Sequence, residues 1–330
     1  MNEYLIIGAL TFLITIILSK VAFLKYFHFL LDKPDKIRKF HTSPTPLIGG
    51  LIILIVLFIY NLLLNQNYNF YFLIFLLVFF LVGFMDDVFD LSPYLKLSIL
   101  ILIILFYRDY LIFEEVYFYE FGIIKLNSFF SYIFFILSIL LFINASNMMD
   151  GIDGAALTYY ISLLLILSIN ISSTPKNVFI ILLVIYSILL IFNLYKKIFI
   201  GDSGIYLSAI LFSYYIINEH KAGIMNNFQE NFFYAENIFL MMFLPGIDML
   251  RLFFYRVITR NSPFKADRNH FHHLLKSKFN SIISLMIINT FYFFPILSSL
   301  FLQINKFIII IIFIVLYSIL VIFLQNAKNN

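Results

Sequence analysis

The chain has 330 residues, of which 62% are hydrophobic and only 12% are charged, and its formal net charge at pH 7 is +4. A soluble globular domain typically has about 25% charged residues, so the composition excludes an ordinary soluble protein, and the small net charge gives no indication of nucleic-acid binding. The absence of cysteine excludes disulfide bonds and thiol chemistry.

Apolar runs with the length of membrane-spanning helices recur along the whole chain. They are continuously apolar rather than alternating, which excludes a membrane β-barrel. The first run lacks a preceding basic segment and a small-residue cleavage site, so we interpret it as a retained span. The sequence therefore predicts an all-α, polytopic helical membrane protein, with 1–330 as a single integral-membrane domain and about ten or eleven transmembrane helices. The predicted spans cover about 4–24, 47–65, 70–85, 94–107, 129–145, 155–171, 178–194, 205–218, 236–255, 281–302 and 307–325.

Charged residues divide the loops between these spans into two sets. Sixteen Lys and Arg fall in one set and five in the other, with Lys20 inside the first span left out. The positive-inside rule makes the first set cytoplasmic and places the N-terminus outside. All seven Glu fall on the outer side, whereas ten of the eleven Asp fall on the inner side, with Asp109 as the exception. This sorting predicts an active site at cytoplasmic helix ends and loops, which lie at about 25–46, 85–96, 144–154, 195–204 and 256–280.

The stretch NASNMMDGIDGAA places Asn144, Asn147, Asp150 and Asp153 three residues apart. On a helix they would form one drifting stripe, and Gly151 would allow a ligand or another helix to approach the backbone closely. Ionisable groups at membrane depth are costly and tend to mark function. The alternative is a polar helix end that packs against its neighbours.

Two further stretches carry carboxylates. FMDDVFDLSPYLKL ends an apolar run with Asp86, Asp87 and Asp90 and places Lys96 at the start of the next. Adjacent like charges at a membrane boundary repel unless a cation or phosphate chemistry holds them, although a solvated loop is the alternative. In KIFIGDSG, Asp202 lies between small residues directly before a helix, where free N–H groups suit a phosphate and the carboxylate suits Mg²⁺. A simple N-capped turn is the alternative.

Basic residues and histidines follow on the same predicted side. Asp248 lies near a helix midpoint or end, and Arg268, His270, His272 and His273 come after it in SPFKADRNHFHHLL. No thiol or carboxylate has the spacing of a zinc site, so phosphate and pyrophosphate binding is the better interpretation.

Near the N-terminus, RKFHTSPTPLIGG carries Lys39 and His41. Such a cluster is commonly an orientation signal, and here it could also hold an anionic head group. Clustered Asp residues with Mg²⁺ and a basic cleft are what phosphoryl transfer requires.

The motifs RKFHTSPTPLIGG, DDVFDLSPYLKL, NASNMMDGIDGA, KIFIGDSG and SPFKADRNHFHHLL resemble those of the polyprenyl-phosphate N-acetylhexosamine-1-phosphate transferases. These enzymes form part of glycosyltransferase family 4, together with the phospho-N-acetylmuramoyl-pentapeptide transferase. The motifs occur in the family's order over residues 32–275. SPF followed by DRNHFHHLL resembles the N-acetylglucosamine-type branch.

The resemblance implies that the protein transfers an N-acetylhexosamine 1-phosphate, with N-acetylglucosamine (GlcNAc) as the expected sugar, from a UDP-sugar to undecaprenyl phosphate. UMP would leave, and the product would start cell-envelope glycan synthesis, such as that of lipopolysaccharide or teichoic acid. The implied place is the bacterial cytoplasmic membrane, with the active site in the cytoplasm and no role for nucleic acid. A homodimer is left open, because no apolar run contains GxxxG.

The resemblance also implies roles for individual residues. Asp86 would be the base that deprotonates the lipid phosphate, and Asp202 with Asp87 would hold Mg²⁺, for which Mn²⁺ could substitute. The nucleotide pocket and support of the metal would come from Asn147, Asp150 and Asp153. Substrate phosphates and sugar would be contacted by Lys39, His41, Lys96, Arg268, His270, His272 and His273.

Several positions depart from the family's pattern, among them Leu47, Leu100, Ala155, Ile205 and Ser208. None removes a proposed carboxylate or histidine, but they leave the sugar and the lipid contacts open. The alternatives are the same reaction with another UDP-amino sugar or with UDP-MurNAc-pentapeptide. A polytopic transporter of anionic lipid or solute is a more distant alternative, because transporter sites lie near the bilayer midplane and commonly within repeats, whereas these polar residues sort to one side and show no repeat.

The predicted topology can be tested directly because the chain has no cysteine. We expect single cysteines introduced as Ser92→Cys and Ser277→Cys to react with a membrane-impermeant thiol reagent only after the cells are lysed, since both positions fall in cytoplasmic loops. Labelling of either position in intact cells would contradict the orientation.

Overall fold

The structure is a computed structural model that describes residues 2–33, 43–63, 70–170, 176–225, 232–263, 269–302 and 304–329. Within these residues the α-helices are α1 (Asn2–Val21), α2 (Gly49–Leu63), α3 (Phe70–Phe89), α4 (Pro93–Phe106), α5 (Arg108–Leu111), α6 (Ser128–Asn147), α7 (Ala155–Asn170), α8 (Lys176–Leu194), α9 (Gly201–Met225), α10 (Ala235–Met241), α11 (Phe243–Ile258), α12 (Phe271–Lys276), α13 (Ser281–Phe301) and α14 (Lys306–Asn329). The remaining elements are a 3₁₀ helix, Lys25–Leu30, and two antiparallel ribbons, β1 (Leu31–Asp32) with β2 (Thr45–Pro46) and β3 (Glu115–Phe118) with β4 (Gly122–Lys125).

The chain forms two compact units, each built from two stretches of sequence. Unit 1 comprises Met1–Leu111 and Ala156–Tyr215, and unit 2 comprises Ile112–Ala155 and Ile216–Asn330. The interpretation of 1–330 as one domain stays a prediction.

The predicted class, an all-α polytopic membrane protein, is confirmed. In the described part of the chain, six helices (α1, α3, α6, α8, α13 and α14) are long and apolar enough to cross a membrane. The pair α10 and α11, bent by 78°, adds a seventh if it forms one broken span. Large apolar side chains such as Ile17, Ile311 and Ile319 are exposed along α1 and α14. On a soluble protein they would form an unusual apolar patch, and here they suit contact with lipid.

The number of long spans is lower than the ten or eleven predicted. Each predicted span does overlap a helix, but α2, α4 and α7 have only 15, 14 and 16 residues. About 20 apolar residues are needed to cross the hydrocarbon core. Helix α9 is long enough at 25 residues, but it contains charged residues such as Asp202 in its first turn and Glu219 further along.

Several helices begin at caps that the sequence encodes. The side chains of Ser92, Asn127 and Asn280 each accept a hydrogen bond from the N–H three residues further on, which starts α4, α6 and α13. Pro93 occupies the first position of α4, where its missing N–H costs nothing. As a result, Lys96 lies at the beginning of α4, close to the end of α3.

In unit 1, the first turn of α9 packs against the backbones of α2 and α3. The N–H of Gly50 donates to the carbonyl of Ile200 at 3.0 Å. A Cβ atom at Gly50 would overlap the backbone nitrogen of Gly204, and one at Gly83 would lie 2.5 Å from the carbonyl oxygen of Asp202. Only glycine allows helices to approach this closely, so these positions bring the Asp-bearing ends of α3 and α9 together.

In unit 2, helix α6 packs against α11, and α12 packs against α13 and α14. The ribbon of β3 and β4 carries a Glu115–Lys125 ion pair at 3.1 Å and contacts α10. The contacts of α12 position the histidine segment that the sequence singled out.

Candidate active site

The acidic cluster of unit 1 consists of Asp86, Asp87 and Asp202 with Lys96 and Tyr206. Asp86 is 5% exposed. Its carboxylate lies 2.5 Å from the Lys96 ammonium, and the Tyr206 hydroxyl donates to it at 3.3 Å. It also accepts the N–H that follows the end of α3, from Leu91, at 3.0 Å. Asp86 is therefore held by three donors from two neighbouring helices and a loop.

Asp87 caps helix α9. Its two carboxylate oxygens accept the N–H groups of Asp202 at 2.7 Å and of Ser203 at 3.0 Å. Gly201, with a φ of +71°, makes room for this contact, because a Cβ there would lie 2.7 Å from an Asp87 oxygen. The expectation that a phosphate binds these N–H groups is wrong for this structure, since the protein's own carboxylate takes that place.

Asp202 differs from the other two carboxylates because the acidic neighbours Asp86 and Asp87 affect it more strongly than the cationic neighbour Lys96 does. It lies in the first turn of α9, within hydrogen-bonding reach of Asp86. Burial raises the pKa of Asp202 well above its ordinary value, and the hydrogen bond with Asp86 and the charges of Asp87 and Asp86 raise it further. Two carboxyl groups this close require a shared proton or a cation between them.

The described residues contain no group of three or more His, Asp and Glu that converges as a ready-made metal site. Mg²⁺ commonly takes one or two carboxylates and completes its shell with substrate phosphates and water. Asp202 lies within hydrogen-bonding reach of Asp86, so this pair fits that pattern, and both oxygens of Asp86, like those of Asp87, already accept donors in this structure.

The histidine segment of unit 2 is arranged around Asp248 of α11. The Nδ1 of His270 lies 3.1 Å from one Asp248 oxygen, and the N–H of Phe271 donates to the same carboxylate at 3.2 Å. The ring of His272 stacks on that of His270, with centroids 5.6 Å apart, and lies 4.1 Å from the ring of His273. The three predicted histidines thus form one cluster.

His272 is the most enclosed of the three. Burial lowers its pKa well below the ordinary value, and the neighbouring His273 and His270 lower it further. It is therefore neutral at pH 7 and brings no positive charge to a phosphate. Its Nε2 has no hydrogen-bond partner among the described residues, and a Cβ atom at Gly151 would overlap this nitrogen.

The motif around Gly151 is only partly helical. Helix α6 ends at Asn147, and residues 148–154 form turns that close with Gly154 at a φ of +86°. The side chain of Asn144 donates to its own helix, to the carbonyl of Leu140 at 2.7 Å. Asp150 is exposed and Asp153 is half-buried. The predicted single stripe is therefore wrong beyond Asn147, because the backbone leaves the helix there.

Three predicted substrate-binding residues, Lys39, His41 and Arg268, lie outside the described residues. The roles assigned to the other site residues stay predictions.

The structure adds three residues to the two clusters. Tyr206 of α9 and Tyr317 of α14 lie in apolar runs without a motif, and nothing in the sequence marks them. Asp248 stands out in the sequence as an acid within an apolar helix, but its partners are distant along the chain.

The sequence pattern of glycosyl transferase family 4 matches residues 69–219. The chain is also 29% identical over 285 residues to the undecaprenyl-phosphate alpha-N-acetylglucosaminyl 1-phosphate transferase of Thermotoga maritima, and this alignment covers 86% of the chain and 84% of the relative. The chain is thus similar to glycosyl transferase family 4 over the matched range and to one of its named transferases over most of its length. These two similarities support the resemblance seen in the motifs. The matched range contains the whole acidic cluster and Asn147, Asp150 and Asp153, whereas the histidine segment follows it.

We expect Gly151→Ala to destabilise the protein, because the added methyl group overlaps the His272 ring. Overpacking of this kind typically costs about 1–3 kcal/mol. In a His272→Ala background the same change should cost little, so the two substitutions should be non-additive. The measurement is the thermal unfolding midpoint of the four proteins in detergent, followed by circular dichroism.

Gly246→Ala is the matched control, since a Cβ there meets nothing within 4 Å. Its midpoint should not fall. Strictly additive effects of Gly151→Ala and His272→Ala would show that the two residues do not touch.

Proposed function

We propose that this protein transfers GlcNAc 1-phosphate from UDP-GlcNAc to undecaprenyl phosphate and releases UMP. The main support is the acidic cluster, in which Asp86 and Asp202 come within hydrogen-bonding reach beside Lys96. The whole cluster lies within the residues that match the family. Paired carboxylates beside a lysine at a helix end suit phosphoryl transfer assisted by a divalent cation. The relative from Thermotoga maritima supports the choice of sugar and of lipid, because both are in its name.

The reaction exchanges one phosphorus–oxygen bond for another. An oxygen of the lipid phosphate forms a bond to the β-phosphorus of the UDP-sugar. The bond between that phosphorus and the bridging oxygen breaks, and UMP leaves with the bridging oxygen. The sugar keeps its bond to the β-phosphate, so the anomeric centre is untouched.

Asp86 and Lys96 are the residues of unit 1 that act on the lipid phosphate. Asp86 accepts the proton of the attacking phosphate oxygen. Lys96, 2.5 Å from Asp86 with its side chain 21% exposed, offsets the charge of the arriving phosphate. Asp87 holds the first turn of α9 in place, which positions Asp202.

Mg²⁺, or Mn²⁺ in its place, would be held by Asp202 with Asp86 and would neutralise charge on the diphosphate. Asp202 fits this role because its acidic surroundings disfavour a lone negative charge there. For the histidine cluster and for Asn147, Asp150 and Asp153, contact with the nucleotide sugar is proposed from the resemblance of their motifs to those of the family.

The proposed location is the bacterial cytoplasmic membrane, with the N-terminus outside and both clusters on the cytoplasmic side. The distribution of Lys and Arg between the two sets of loops supports this orientation. Nucleotide sugars are cytoplasmic, so the orientation also supplies the donor.

The function is tested with UDP-GlcNAc labelled in its β-phosphate, undecaprenyl phosphate and Mg²⁺, added to the purified full-length protein. We expect the label to enter the lipid fraction and unlabelled UMP to be released. Label released as UDP would identify an ordinary glycosyltransferase and contradict the proposal. Transfer from UDP-MurNAc-pentapeptide or another UDP-amino sugar, but not from UDP-GlcNAc, would replace the donor with that sugar.

The roles of Asp202 and Asp86 are separated by their asparagine variants, which keep the shape and remove the charge. We expect Asp202→Asn to lose most turnover together with Mg²⁺-dependent binding of UDP-GlcNAc. Asp86→Asn should lose turnover by about 10²–10⁴-fold, the usual contribution of a general base, and keep part of that binding.

Calorimetric binding of UDP-GlcNAc with and without Mg²⁺ distinguishes the two variants. Binding that survives in Asp202→Asn and disappears in Asp86→Asn would exchange the two assignments.

A further inference from the structure

The carboxylate of Asp248 forms hydrogen bonds with residues from three separate parts of the chain. Besides His270 and the N–H of Phe271, its carboxylate accepts from Arg251 at 2.8 Å and from the hydroxyl of Tyr317 at 2.6 Å. Arg251 lies one turn further along α11, whereas Tyr317 belongs to α14. Asp248 is 7% exposed, so these partners replace water around its charge.

Arg251, the N–H of Phe271 and the Tyr317 hydroxyl all donate to Asp248, and the adjacent guanidinium charge of Arg251 favours the ionised carboxylate. The Tyr317 hydroxyl also accepts from the Nε of Arg251 at 2.8 Å, so it joins the arginine to the acid. A second bond from Arg251, 2.6 Å long, reaches the carbonyl of Asn269 directly before the histidine segment. Asp248, Arg251 and Tyr317, which we term the Asp248 cluster, thus bind both the backbone and the first side chain of that segment.

The contact with Asp248 decides which nitrogen of His270 carries a proton. A bare Nδ1 would place a lone pair 3.1 Å from a carboxylate oxygen, so Nδ1 must be protonated and must donate. The Nε2 nitrogen is then the one that remains to contact a ligand. The same arrangement of a carboxylate behind an imidazole orients histidines in many enzyme sites.

We propose that Asp248 and Tyr317 are positioning residues for the transfer reaction. They hold His270 with its proton on Nδ1, so that its Nε2 is free to accept a hydrogen bond from a hydroxyl or N–H group of the nucleotide sugar. This inference rests on the proposed function for the identity of the ligand, but the state of His270 does not depend on it. The C-terminal helix α14 is thereby a part of the site, although it lies outside the range that matches the family.

Tyr317 allows this role to be separated from packing. Its ring contacts Phe271 and Phe291, with centroids 5.3 and 6.3 Å apart, and Tyr317→Phe keeps those contacts while removing the hydroxyl. Tyr60→Phe is the matched control, because Tyr60 is also 1% exposed and its hydroxyl has no hydrogen-bond partner among the described residues.

The first measurement is ¹⁵N NMR of the full-length protein with labelled histidine, in lipid nanodiscs without substrate. The chain has six histidines, and the His270 signals are assigned by their loss in His270→Gln. We expect a protonated Nδ1 in the parent protein and in Tyr60→Phe, and a shift toward a mixture of tautomers in Asp248→Asn and Tyr317→Phe. A parent protein with an unprotonated Nδ1, or an unchanged His270 in Asp248→Asn, would overturn the proposal.

The second measurement is steady-state transfer from UDP-GlcNAc by the same variants, at a temperature below the unfolding midpoint of each. Misplacement of a reacting group by about 1 Å typically costs about 10²-fold, and we expect a loss of kcat/KM of that order for Asp248→Asn. Tyr317→Phe should show a smaller loss, and Tyr60→Phe should match the parent. If Asp248→Asn does not fold, Tyr317→Phe alone decides, and unchanged kinetics in that variant would overturn the proposal.

The two measurements also separate this inference from the proposed function. A parent protein that transfers nothing from UDP-GlcNAc contradicts the function, while the NMR result still confirms or overturns the positioning of His270.

Discussion

Each buried carboxylate in this protein needs hydrogen-bond donors or a cation to offset its negative charge. How each aspartate obtains them determines the arrangement of the acidic cluster and of the residues around Asp248. An unpaired charge removed from water costs several kcal/mol. Asp87 is matched by two backbone N–H groups, and Asp248 by an arginine, a tyrosine, a histidine and an N–H group. These contacts hold the side chains of Asp87 and Asp248 in place.

Asp202 is the exception, and this makes it the most informative of the acids. Burial and the charges of Asp86 and Asp87 raise the pKa of Asp202, and the charge of Lys96 offsets this only in part. A site that binds a divalent cation together with a diphosphate needs such an excess of negative charge when empty. The close packing of α2, α3 and α9, which glycines at the contact positions allow, holds Asp202 in this position.

The structure changes the interpretation of two motifs that looked alike in the sequence. GDSG was expected to offer N–H groups to a phosphate, but a carboxylate 115 residues earlier already occupies two of them. NMMDGIDG was expected to continue a helix, but the helix ends at Asn147 and Gly151 instead leaves room for the ring of His272. In both cases a glycine serves a contact within the protein, where the sequence alone suggested room for a ligand.

The all-α membrane class, the family resemblance and the positions of the Asp and His motifs could be read from the sequence, because apolar runs and short motifs are local properties of a chain. It could not determine which acid is compensated by which donor, since the partners of Asp87 and Asp248 are separated from them by up to 116 and 69 residues. Nor could it indicate Tyr317, a single tyrosine in an apolar helix. Hydrogen bonds between distant segments depend on how helices pack, and only the tertiary structure decides that.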